Sequence, residues 1–127
     1  MVVETNLHLG KGIVRGDQFS IRRVVKGIPS SILVSSAQLT LKSTIATADP
    51  GLFQKSITSA NVAGTGQVEN TGASGVAVIR FDINDDDTLL MAADTDYFFD
   101  IQVKLSNDDI KTIESGVTSA KAQVTTS

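Results

Sequence analysis

The sequence predicts an all-β fold, an immunoglobulin-like antiparallel β-sandwich of about seven strands, and three observations predict it. The stretch Tyr97-Phe98-Phe99-Asp100-Ile101-Gln102-Val103-Lys104-Leu105 alternates strictly. Tyr97, Phe99, Ile101, Val103 and Leu105 fall on one parity, and a side-chain period of two turns them toward a core while Phe98, Asp100, Gln102 and Lys104 turn to water. Similar runs recur at the regular spacing of a sandwich, divided by turn clusters. Thr, Ser, Val, Ala and Gly are plentiful and there are 2 prolines, which suits short strands joined by tight turns.

The chain has 127 residues, no cysteine and a formal charge of −3. That length suits one domain able to bury a core without staples. The absence of cysteine excludes disulfides and thiolate metal sites. Acidic and basic residues are interspersed, so no basic stripe tracks a nucleic-acid backbone. No apolar run approaches the roughly 20 residues that span a bilayer. Met1 to Thr5 lacks the charged and apolar regions of a signal peptide. The expectation is a soluble protein made in the cytoplasm, without nucleic-acid or membrane partners.

In chain order, residues 1–16 read as an N-terminal arm with a weak first strand at Leu7 to Val14, and 17–127 as a single sandwich domain. Phe19, Ile21 and Val25 share a face of the next strand; Arg23 interrupts it and predicts an edge strand or a bulge. Ala37, Leu39, Leu41 and Ile45 point inward, followed by the turn Asp49-Pro50-Gly51 and a strand from Leu52 to Thr58. Glycines crowd between Ala60 and Gly75, predicting a long loop with at most a short strand at Gln67 to Glu69. Val76 to Ile83 is a strand with Ala77, Ile79, Phe81 and Ile83 inward. A short helical turn near residues 84–91 follows, capped by Asn84 and favoured by Asp85, Asp86 and Asp87 at its positive end. Leu89 and Leu90 would plug the sandwich. The Tyr97–Leu105 strand turns through Ser106-Asn107-Asp108-Asp109 into Ile110-Lys111-Thr112-Ile113, and Ala120, Ala122 and Val124 mark a last strand.

Chemistry is sparse. Asp82-Ile83-Asn84-Asp85-Asp86-Asp87 resembles the start of a calcium loop, but Asp87 stands where glycine is needed and Ala93 where glutamate is needed. A helix cap is the better reading. His8 is the single histidine, without carboxylates at a catalytic spacing, and reads as a strand-surface imidazole. No Gly-x-Ser-x-Gly elbow and no P-loop is present, so the glycines at 64, 66, 72 and 75 read as turn glycines. Arg15-Gly16-Asp17 reads as a turn. No catalytic residue, cofactor or metal site is expected.

Several motifs in order resemble a known family. They are Gly16-Asp17-Gln18-Phe19, Ala37-Gln38-Leu39-Thr40-Leu41-Lys42, Ala48-Asp49-Pro50-Gly51-Leu52-Phe53-Gln54-Lys55 with Ile57-Thr58, Asp87-Thr88, Tyr97-Phe98-Phe99-Asp100-Ile101-Gln102-Val103, and Thr112-Ile113-Glu114-Ser115-Gly116-Val117. Together they resemble the small β-sandwich of tailed-bacteriophage structural proteins, typified by the N-terminal domain of baseplate upper proteins. This chain departs from the pattern at Asn107-Asp108-Asp109, where a glycine is usual. The resemblance implies a non-enzymatic virion structural protein, a tail, neck or baseplate adaptor present in many symmetric copies beside other virion proteins. The alternatives are a capsid decoration protein and, from another class, a carbohydrate-binding module; the latter would need exposed aromatics, and the chain has no Trp and 1 Tyr. Phe98, Val76, Val78 and Val24 are apolar residues on outward parities and form the candidate subunit contact. Met1 to Thr5 is expected to reach across to a partner's edge strand.

Overall fold

A computed structural model describes residues 2–5, 13–14, 16, 18–29, 31–44 and 51–121. Nine strands and one helical turn lie among them: β1 (Val2–Thr5), β2 (Ile13–Val14), β3 (Phe19–Lys26), β4 (Val34–Lys42), β5 (Phe53–Ile57), β6 (Gly66–Thr71), β7 (Val76–Ile83), α1 (Asp85–Leu89), β8 (Asp96–Leu105) and β9 (Ile110–Lys121). They form two sheets, ordered β1-β3-β7-β6 and β2-β9-β8-β4-β5. All pairings are antiparallel except β2 with β9. This is the order of an immunoglobulin-like sandwich, strands A, B, E and D facing G, F, C and C′.

Alternation decides which residues fill the space between the sheets. Tyr97, Phe99, Ile101, Val103 and Leu105 are buried, as are Ala77, Ile79, Phe81 and Ile83, and Ala37, Leu39 and Leu41. Each set lies on the predicted parity, and together they make one apolar cluster. The Tyr97 hydroxyl accepts the Ala92 backbone N–H at 2.6 Å. That bond ties the start of β8 to the chain leaving α1, the corner tyrosine typical of this fold. At the other end of β8, Asp108 takes φ +70° in the turn to β9. Its N–H donates to the Leu105 carbonyl at 2.9 Å. An aspartate thus occupies the left-handed position that glycine ordinarily fills.

Several elements differ from the sequence-based expectation, each for a physical reason. Arg23 marks neither an edge nor a bulge: β3 is an inner strand between β1 and β7 with unbroken register. The guanidinium points into the core, 0 % exposed, because Glu114 on the opposite sheet receives it. Leu89 and Leu90 are half exposed, and Met91 and Thr88 are buried in their place; Thr88 and Met91, three residues apart, share the inward side of the turn and the leucines between them fall off it. Within residues 60–75 the strand β6 is six residues long, against the three expected. Gly66 opens it at φ +130°, where a Cβ would lie 2.0 Å from the Arg80 carbonyl oxygen, so its glycine marks a close strand approach. The two strands expected after the hairpin are one strand of twelve residues, β9. A register shift where β9 passes Ile101 and Gln102 leaves Ile113 unpaired and breaks the alternation that would have revealed continuity.

Val2 to Thr5 pair with Arg23 to Lys26 of their own chain and complete the four-stranded sheet. Residues 13–14 pair with β9, so both parts of the expected arm belong to the sheets. His8, Arg15, Asp17, Ile45, Ala48 to Pro50 and the proposed strand residues Ala122 and Val124 lie outside the described residues. Among the described residues, no helix is long and apolar enough to cross a membrane.

Candidate interaction surface

The sandwich presents two outer faces, and the four residues picked from parity divide between them. Val24 and Val78 are directly paired across β3 and β7, and Val76 sits opposite Lys26. All three are half-buried on the outer face of the four-stranded sheet. Phe98, also half-buried, lies on the outer face of the five-stranded sheet. The valines make one small patch; Phe98 does not belong to it.

The four-stranded face is mostly occupied by charge that neutralises itself. Arg22 donates to both oxygens of Glu69 at 2.7 and 3.0 Å, and Arg80 donates to Glu69 at 3.0 Å and to Asp82 at 3.1 Å. The Ser20 hydroxyl donates to Asp82 at 2.8 Å. The hydrogen bonds from Arg22, with its charge and that of Arg80, hold the Glu69 carboxyl below its usual range, and Glu69 in turn raises Arg22. Glu69 is thus committed to arginines on its own face, which leaves it a poor general base.

The segment that resembled a calcium loop is likewise committed, in two directions. Asp82 faces Arg80. Asp87 accepts the Asn84 N–H at 2.9 Å and pairs with Lys55 at 2.7 Å. Lys55 also donates to the Gly64 carbonyl at 3.0 Å. Asn84 and the three aspartates do stand at the start of α1, but Asp87 is pinned to β5 and is not simply solvated. Among the described residues, no group of three or more His, Cys, Asp or Glu side chains is placed to share a metal ion.

The five-stranded face is different in character. Its outer row on β8 reads Asp96, Phe98, Asp100, Gln102, Lys104, and the strands beside it add Gln38, Thr40 and Lys42 from β4 and Thr112, Ser115 and Val117 from β9. Most of these are small or uncharged. At one end, Phe98, Val117, Thr40, Lys42, Asp100 and Ser115 surround an open depression of about 340 Å³. Val117 is 51 % exposed directly opposite Phe98. Gly116 contributes by lacking a side chain: the Phe99 ring folds over it from within, 3.2 Å from where a Cβ would stand. At the other end, Ile110 stands opposite Lys104 and is 61 % exposed. Val117 and Ile110 were not singled out from sequence. The signal was the register with β8, which the shift at Ile113 conceals.

The chain therefore offers a weakly charged sheet face with an apolar hollow and an exposed isoleucine at its other end. Compared with known proteins, it matches no family model and no curated sequence.

Proposed function

We propose that this chain is a non-enzymatic structural protein of a tailed-phage virion, an assembly module of the tail, neck or baseplate that docks on its neighbours through the outer face of the five-stranded sheet. The observation that carries the docking role is the hollow around Phe98 and Val117 on an otherwise polar face. Large apolar side chains gathered on an outer sheet face favour a covering partner over water. The virion context is supported by the ordered motifs, whose best-defined parts form β4, β8 and β9. The commitment of Glu69, Asp82 and Asp87 to basic partners supports a non-catalytic role.

The test is a Phe98→Ser variant in an assembly assay with purified particles. A variant that folds normally but is not incorporated supports the reading. Incorporation equal to wild type overturns it.

A further inference from the structure

We infer that the buried Arg23–Glu114 pair is a register pin: it holds the extra residue of β9 at Ile113, and so turns Val117 outward into the hollow. Without the pair, the extra residue moves along β9 to Ser119 and Val117 turns inward. The consequence for docking rests on the reading of the hollow as a contact surface; the choice of register does not.

β9 can be laid against β8 in two ways that share both ends. In the observed one, Thr112 lies opposite Gln102, Ile113 has no partner, and Glu114 to Ser119 run opposite Ile101 to Asp96. If Ile113 instead took the place opposite Ile101, Glu114 to Thr118 would come opposite Asp100 to Asp96, with Ser119 left over. Thr112 would keep its partner. Ala120 would keep its backbone bonds with Asp94 and Thr95 and its pairing with Ile13. Only Ile113 to Thr118 would turn over, because a slip of one residue exchanges the two faces of a strand.

Hydrophobicity alone favours the other register. The observed one sends Glu114, Gly116 and Thr118 toward the core and leaves Val117 51 % exposed. The shifted one would send Ile113, Ser115 and Val117 inward and return the Glu114 carboxylate to water. Ile113 already packs against the core from its place in the bulge, so it has little further to move.

What the observed register has in return is Arg23. Its guanidinium is 0 % exposed and donates to both Glu114 oxygens at 2.7 and 3.1 Å. Shifting β9 would carry the carboxylate to the outer face and leave the guanidinium alone in the core, a cost that outweighs covering a half-exposed valine. The Phe99 ring adds a smaller preference, since it lies against Gly116 and would have to accept the Cβ of Ser115. Arg23 and Glu114 are thus positioning residues for a surface on the far side of the sheet from the place where they meet.

The experiment is NMR of the purified chain, reading cross-strand contacts between backbone protons, with a melting curve for each variant. In the native chain Ser115 lies opposite Asp100 and Val117 opposite Phe98. In Arg23→Met/Glu114→Lys the inward place holds a cation without a partner, so Ser115 should contact Phe99 and Val117 should contact Tyr97. Arg23→Met/Glu114→Leu should keep the native contacts, because leucine suits the inward place. Arg23→Met/Glu114→Gln repeats the test with a neutral polar side chain. Native contacts in both the lysine and the glutamine variants overturn the inference. So does failure of both to fold, since the shifted register keeps a core. A shifted variant should also be lost from purified particles; shifted contacts with normal incorporation support the register pin and count against the docking reading alone.

Discussion

Glu114→Gln should destabilise the fold more than any other single change to a partly exposed side chain, because of what it leaves behind. Arg23 is 0 % exposed, and its Nε and Nη2 donate to the two oxygens of Glu114 at 2.7 and 3.1 Å. Nη1 donates to the Arg22 carbonyl at 3.1 Å. Glutamine keeps the volume and one acceptor but removes the charge that compensates a guanidinium that cannot reach water. At a separation near 4 Å and an effective dielectric of 20, the lost attraction is about 4 kcal/mol. That agrees with the 3–5 kcal/mol typical of breaking one side of a buried pair. With a urea slope of about 2 kcal/mol per molar, the denaturation midpoint should fall by about 2 M. Removing both charges should behave differently. Arg23→Met combined with Glu114→Leu should recover most of the loss, since apolar replacements of buried pairs are often neutral or better. A Glu114→Gln midpoint within about 0.3 M of wild type, or a double variant weaker than the single, would refute the reasoning.

Three further outcomes follow from the fold. Phe99→Ala should cost about 3–5 kcal/mol, the usual range for a buried aromatic, and Asp100→Ala less than about 1 kcal/mol; similar midpoints for the two would contradict the facing of β8. Tyr97→Phe keeps the ring and removes the hydroxyl that Ala92 uses, so chemical denaturation should show a loss of about 1 kcal/mol, and no loss would mean water serves Ala92 equally well. Glu69 has a depressed folded-state pKa, so its contribution is present above the unfolded value of about 4.3 and disappears as pH falls below it through the folded value. Melting curves of wild type and Glu69→Gln should thus differ at neutral pH and converge in acid; a constant gap would place the effect elsewhere.

What the sequence disclosed was governed by alternation. β7 and β8 were legible because each keeps one inward parity over its length, and β4 because it does so from Ala37 to Leu41; the core they make is the one observed. Where alternation is broken by something that only a second strand explains, reading failed. Arg23 looked like an interruption because its partner is 91 residues away. β9 looked like two strands because Ile113 is a register shift seen only against β8. β6 was read as no longer than Gln67 to Glu69 because it opens on Gly66, whose meaning lies in the carbonyl of Arg80. The candidate surface was half legible for the same reason. Phe98 could be placed outward from its own strand, but Val117 beside it and Ile110 at the other end of the face could be found only through pairing.

The inward-pointing charges Lys55 on β5 and Glu114 on β9 have a consequence for misassembly. Lys55 lies opposite Leu39 on β5, and Glu114 opposite Ile101 on β9, so both stand among apolar neighbours on the core side. Each is drawn inward by a partner across the sandwich, Asp87 and Arg23. If the sandwich opens even locally, those partners separate, and the freed strand carries an uncompensated charge in the middle of its apolar row. An aberrant strand stacking on it would have to bury that charge again, copy after copy. Crowding many copies together therefore raises the concentration of a domain whose opened edges resist amyloid-like growth, and the two ion pairs keep that safeguard out of sight while the fold is intact.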